Sequence, residues 1–397
     1  MTHLFGLDRV RSVSPRIIEL RRALHRIPEL GLELPETAAL IEAELRLLGL
    51  EPRRVGSSMW ADIGDAGPMV ALRADMDGLP LEELTRAEYA STHSGLMHAC
   101  GHDAHVAALL GAARLLSEEL KAGRLRFRVR LVFQAGEEGS FGALPLMEAG
   151  LLEGVVAIAA GHVGDLSDEL GPGQAGFLGG PMLAAADRFE GAFVGSGGHG
   201  AAPHLSPDPI SAFAQFVLAL DSYRARELDP SRPAVVSVCE VHAGSTDNVI
   251  PEKAAFMGTA RSFHEVIRQS LRVRIGEIGN SIAAMRKLTF EYKWIEGYPP
   301  LVNDARCAEA AEETARALLG SDRVVRLTRP IMGGEDFAYY LERIPGCFWF
   351  LNTQAPDRGI KFPNHNPRFD VDESQLWILA AVNLAVAQRL AEGMPLQ

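Results

Sequence analysis

Arg126-Phe127-Arg128-Val129-Arg130-Leu131-Val132-Phe133-Gln134 runs directly into Ala135-Gly136-Glu137-Glu138-Gly139. The first part alternates charged and apolar residues and is rich in β-formers, which predicts a strand over 126–134. The glycines permit a turn just where the strand stops, and two carboxylates appear in that turn. Neighbouring runs end in the same way. A strand over 60–64 is followed by another over 69–74, which gives way to Asp75. The apolar run 155–160 gives way to Gly161-His162. Helical patterns over 104–120 and 144–150 lie between these strands. Such alternation predicts a layered α/β domain with a mainly parallel sheet. Ligands and catalytic groups collect at the strand ends of such sheets.

Between the second and third strands lies Met97-His98-Ala99-Cys100-Gly101-His102-Asp103-Ala104-His105. Three histidines, a thiol and a carboxylate in so short a span are the donors that first-row transition metals favour. Residues two apart on a helix face different sides. Cys100 and His102 therefore share one site only if the backbone turns between them, which Gly101 allows. The helix that follows would start at this site. A rival reading keeps the chemistry without a metal, with Cys100 as a nucleophile beside a histidine base.

Upstream, Ser14 to His25 reads as a helix with Ser14 as N-cap and Pro15 at its first position, and a second helix covers 35–48. Downstream of Gly171-Pro172-Gly173 the pattern changes. Strand 187–194, helix 209–223, strands 234–242 and 254–261, helix 265–286 and strand 288–294 give a βαββαβ order, the ferredoxin-like unit. Gly297-Tyr298-Pro299-Pro300 reads as its return linker. A helix over 304–319, a strand over 348–351 and a helix over 373–391 rejoin the first domain. The expected organisation is a discontinuous catalytic domain, 1–184 and 297–397, with an inserted lid domain, 185–296.

Bulk properties exclude several classes. The chain has 397 residues, 47% hydrophobic and 23% charged, as in a globular enzyme. A net charge of −12 argues against nucleic acid or an anionic membrane as partner. Four scattered cysteines suit a reducing compartment rather than a disulfide framework. No secretory signal and no membrane-length apolar run is evident. A cytoplasmic enzyme is expected.

The remaining candidates each have an ordinary alternative. Glu137-Glu138 offers one carboxylate for metal and one as a free base; alone, it would read as an acidic turn. His162 follows an apolar strand and is either a ligand or a buried structural histidine. His365, in Phe362-Pro363-Asn364-His365-Asn366-Pro367, sits on a stiff backbone that suits a fixed ligand or a plain turn. His199 and His204 lie in a glycine-rich loop. Asn248, in Asp247-Asn248-Val249-Ile250-Pro251, and Arg261 are candidates for a carboxylate clamp. Glu335-Asp336-Phe337 opens a short helix.

Taken together, these residues resemble the amidohydrolase-type metallopeptidases related to aminoacylase and glutamate carboxypeptidase. The branch is that of hippurate hydrolase, indole-acetyl-amino-acid hydrolases and N-acyl-amino-acid deacylases. The resemblance runs from Leu24-His25-Arg26-Ile27-Pro28-Glu29-Leu30 to Phe369-Asp370-Val371-Asp372-Glu373. It rests on Arg73–Pro80, His98–His105, Glu137-Glu138, Gly197–His204, Asn248–Pro251, Gly258–Phe263, Glu335-Asp336-Phe337 and the His365 segment. It implies two divalent ions, manganese or zinc, with Cys100 bridging and His102, Glu138, His162 and His365 completing the set. It implies Glu137 as general acid/base and His199 polarising the scissile carbonyl, in some relatives from a partner subunit. Asn248 and Arg261 would hold a substrate carboxylate, and Asp75 would orient a ligand histidine. The implied reaction is hydrolysis of N-acyl amino acids, with dipeptidase or carboxypeptidase activity as the alternative. A homodimer or higher homo-oligomer through the lid is implied too. The chain departs from the family pattern at Ala135, Ser196, Phe141 and Asp165; the last two are expected to reshape the acyl pocket.

Overall fold

The computed structural model describes residues 4–393, which form two compact units. The larger unit comprises residues up to 182, 302–331 and 336 onward; the smaller comprises 183–301 and 332–335. The borders lie a few residues from the expected cuts at 184/185 and 296/297, and Met332–Glu335 groups with the smaller unit.

The larger unit is built on an eight-stranded sheet. Its centre is parallel: Arg128–Gln134, Met69–Asp75, Val155–Val163 and Gly346–Leu351 lie side by side in that order. Antiparallel pairings flank them, with Ser58–Ile63 on one side and Ala175–Phe177 on the other. Helices His102–Lys121, Leu376–Ala391 and Ala305–Leu319 pack on the sheet and in that order on one another. Leu376–Ala391 is buried over nearly its whole length, so its apolar composition reflects a core position and not a membrane. Among the described residues, no helix is long and apolar enough to cross a bilayer.

Three expectations need correction. Ser14 is the first residue of helix Ser14–His25 and not its cap; Val13 precedes it with helical angles, and no side chain caps that end. The short helix Leu7–Ser12 runs almost straight into it, which removes the need for a cap. The strand expected at 126–134 begins at Arg128. The strand 155–160 continues through His162 to Val163, because Gly346–Leu351 pairs with it in parallel along that length.

The smaller unit has strands Ala185–Val194, Ala234–Ala243, Lys253–Ser262 and Thr289–Ile295 in one antiparallel sheet. Numbered within the unit, their spatial order is 2-3-1-4, the ferredoxin-like arrangement read from the sequence. Helices Pro209–Arg226 and Glu265–Arg286 pack on the sheet and on each other. Phe189, Phe193, Phe216, Phe256 and Phe290 make the core between them. Arg268 grips both carboxylate oxygens of Asp187 at 2.8 Å and the carbonyl of Gly297 at 2.8 Å, tying the unit's first strand to its exit. One feature escaped the sequence reading. Gly198–His199 pairs with Val249–Ile250 as a two-stranded ribbon.

Candidate metal centre

The parallel strands end on one edge of the sheet, and the candidate donors gather there. Asp75 and Gln134 are register partners at adjacent strand ends. The chain turns after Gln134 through Gly136, whose φ of +78° a side chain would resist. Asp77 then organises the turn. Its two carboxylate oxygens accept from the backbone N–H groups of Glu137 and Glu138, each at 3.0 Å. Its carbonyl accepts from His102 Nδ1 at 2.9 Å.

That last bond fixes the chemistry of His102. With Nδ1 protonated, Nε2 carries the lone pair. Nε2 is buried and has no hydrogen-bond partner. Gly101, at φ +87°, makes the turn that lets Cys100 and His102 face one site and starts helix His102–Lys121 there. His162 is set the same way: Nδ1 donates to the Val163 carbonyl at 2.9 Å, and Nε2 lies 3.5 Å from Cys100 Sγ.

His365 reaches the cluster from near the end of the chain. Its backbone sits at φ +65°, a conformation few non-glycine residues adopt. Its N–H donates to the Ala99 carbonyl at 2.7 Å. Asn364 donates to the carbonyls of Cys100 and Val163, each at 3.1 Å, so one amide links three donor-bearing segments. His365 Nε2 lies 3.2 Å from Glu138 Oε1, a buried oxygen with no aligned hydrogen bond.

Donor atoms of Cys100, Glu138 and His365 lie within 4.8 Å of one another, as do those of His102, Glu137 and Glu138. His102 and His162 form a further such group with Asp75 and His105. Thiol, imidazole and carboxylate donors with unspent lone pairs fit borderline divalent cations. Electrostatics argues against the nucleophile reading of Cys100. Burial, reinforced by Glu138, pushes its thiol up, whereas a nucleophilic cysteine needs its pKa lowered. Contacts with Cys100 and Glu138 raise His365 to about 10.

His105, by contrast, has both ring nitrogens engaged. Nδ1 donates to Asp75 Oδ1 at 2.5 Å, and Nε2 accepts from the Val163 N–H at 2.9 Å. Asp75 therefore bonds His105 directly, and its other oxygen lies 3.6 Å from His102 Nε2. Backbone carbonyls, those of Asp77 and Val163, hold the Nδ1 side of His102 and His162. Asp103 points away to Arg21 and His25, at 2.8 and 2.7 Å.

Sequence reasoning gave no role to Asp77, Asn364 or the network behind the strand ends. Arg73 joins Asp75, Gln134 and Asp336 at 2.5, 3.1 and 3.0 Å. Asp336 also accepts from the Ala143 N–H at 2.9 Å, and burial raises its carboxyl to about 6. Asp77 was findable, since its spacing from Asp75 repeats the strand period. Substituting it tests its function: Asp77→Asn should lower metal affinity by roughly 10- to 100-fold at constant helix content, read by metal titration. Unchanged affinity would reduce Asp77 to a turn residue.

In the smaller unit, His199 and Asn248 are neighbours. Val249 pairs with His199, and Gly200 N–H donates to the Asn248 carbonyl at 2.8 Å. His199 Nδ1 accepts from the Ala201 N–H at 3.0 Å, which leaves an exposed Nε2–H as donor. Arg261 bonds only neutral oxygens, those of Asp187, Ala260 and Thr259. Among the described residues no carboxylate pairs with it.

Residues 71–389 match the model of peptidase family M20/M25/M40. The chain belongs to this family. It is 38% identical over 392 residues to thermostable carboxypeptidase 1 of Saccharolobus solfataricus, covering 96% of this chain and 97% of that one. It is 38% identical over 369 residues to N-acetyl-L-cysteine deacetylase of Bacillus subtilis, covering 92% and 86%. The crystal structure of the Bacillus subtilis YXEP protein, a dinuclear metal-binding peptidase of the M20 family, superposes with a TM-score of 0.80. That match has 36% identity and covers 95% of this chain and 98% of that one. This M20 chain is thus a hydrolase of amide bonds, and its larger unit carries a cluster of potential metal ligands.

Proposed function

We propose that this M20 hydrolase cleaves the amide bond of N-acyl-L-amino acids, releasing a carboxylic acid and an amino acid. Cys100, His102, Glu138, His162 and His365 would hold a pair of divalent cations, manganese or zinc. The observation that carries this reading is the buried Nε2 of His102, which makes no hydrogen bond and has carboxylate oxygens of Glu137 and Glu138 beside it. The deacetylase relative supports the N-acyl substrate class.

When bound, the cations would supply Lewis acidity and a water ionisable near neutral pH. Glu137 takes the proton of the attacking water and returns it to the leaving amine. Its backbone is held by Asp77, so the carboxylate is positioned before substrate arrives. His199 Nε2–H stabilises the charge that develops on the carbonyl oxygen. Arg261, a cation without a protein carboxylate, and Asn248 receive the carboxylate of the amino-acid product. Asp75 supports the cluster through His105. We also infer a cytoplasmic homodimer formed through the smaller unit, which sedimentation would test.

The deciding experiment is a hydrolysis panel of hippurate, N-acetyl amino acids and dipeptides. Chelator treatment should abolish activity, and added Mn²⁺ or Zn²⁺ should restore it. Activity that survives chelation but not thiol alkylation would return Cys100 to the role of nucleophile. The carboxypeptidase relative favours a second reading, peptidase action on dipeptides or peptide C-termini. Faster turnover of dipeptides than of every N-acyl amino acid would select it.

A further inference from the structure

The loop after the Glu pair contains a backbone anomaly that the proposed chemistry leaves unused. Phe141 sits at φ +58°, where glycine is at ease and a bulky residue is strained. Its ring is only half-buried, so core packing does not account for it. It lies 6.5 Å from the ring of Tyr339, itself half-buried, with the planes inclined at 49°.

Both rings belong to segments that meet near Glu137. The loop closes at its neck, where Gly142 N–H donates to the Gly136 carbonyl at 3.0 Å. Phe141 is thereby returned beside the residue that precedes Glu137. Tyr339 follows Asp336 by less than one helical turn. Asp336 holds the Ala143 N–H at 2.9 Å, just beyond Phe141, and offers an oxygen within 4.8 Å of one from Glu137. Strain retained next to catalytic groups points to a use for the side chain that carries it. A pair of inclined, half-open rings offers a flat apolar group edge and face contacts that an acetyl group is too small to make.

We propose that Phe141 and Tyr339 form a wall for the acyl group and select planar aromatic acyl chains such as benzoyl. The proposal rests on the N-acyl-amino-acid reading.

The test compares N-benzoylglycine with N-acetylglycine on the metal-loaded full chain. Phe141→Gly removes ring and strain together. It should lower the benzoyl-to-acetyl ratio of kcat/KM by roughly tenfold, mainly through KM on the benzoyl substrate. The acetyl substrate supplies the reference against which the benzoyl loss is read. Tyr339→Leu should lower the ratio too, and Tyr339→Phe should keep it. Calorimetry with benzoate, which needs no turnover, should show weaker binding to Phe141→Gly than to wild type. A ratio unmoved by both ring removals, with equal benzoate affinity, overturns the wall. If wild type hydrolyses neither substrate, the reaction assignment fails, and the benzoate titration alone decides for or against the wall.

Discussion

Glu137→Gln should leave fold and metal content intact and reduce kcat at least a hundredfold. The substitution keeps the side chain's shape. Glu137 is buried, so the variant cannot recruit solvent freely in place of the lost base. Its backbone stays anchored, because Asp77 accepts from the main-chain N–H and not from the side chain. General acid–base catalysis contributes roughly 10²–10⁴-fold, and one residue here serves both proton transfers. Metal analysis and kcat are the paired readouts. Retention of more than a hundredth of wild-type turnover, with metal bound, would remove Glu137 from that role. Glu138→Gln should behave differently and show its loss first as lowered metal content.

The second large effect lies away from the chemistry. Arg21 is fully buried in helix Ser14–His25. It bonds Asp103 and Asp370 at 2.8 Å and reaches Glu373 at 3.4 Å. It joins the helix that begins at the candidate metal centre to both an N-terminal and a C-terminal segment. Arg21→Met leaves Asp103 buried without its main countercharge. That should cost about 3–5 kcal/mol and lower the melting temperature by on the order of 10 °C. Arg22→Met is the control. Arg22 pairs with Glu373 at 2.6 Å but is exposed, so its loss should cost less than about 1 kcal/mol. Equal melting temperatures for the two variants would refute the hub.

The same cluster sets an acid limit. Burial opposes ionisation of Glu83, but hydrogen bonds from His25, the Ser91 N–H and Thr85 outweigh it and hold its carboxyl down to about 2. Asp103 is likewise held low: burial opposes this, but Arg21 and His25 prevail. Both pKa values are depressed on folding. Their contribution is therefore complete above the ordinary carboxylate range and is lost as pH falls through it toward 2. Melting temperature measured from pH 6 downward should drop most steeply below about pH 4.5.

Much of this architecture was legible in residue order. Helix Glu265–Arg286 and the βαββαβ order follow from local periodicity, which tertiary packing reinforces. The strand ends carrying Asp75, Glu137 and His162 were readable for the same reason. Other features depend on partners far along the chain. The strand of His162 is lengthened by pairing with 346–351. The task of Asp77 consists of bonds to residues whose nearness only the fold creates. Asp75 lies against both His102 and His105, and the sequence cannot say that His105 takes the hydrogen bond. Phe141 was visible as a departure, but its positive φ was not.

The tie that Asn364 makes to the Val163 carbonyl spans 201 positions. The whole ferredoxin-like unit is translated in that interval. Ribosomes add about 5–20 residues per second, so His365 follows His162 by roughly 10–40 s. Throughout that delay Cys100, His102, Glu138 and His162 have been made but lack both His365 and the Asn364 amide that draws their segments together. The proposed ligand set is consequently complete only after the inserted unit has been made.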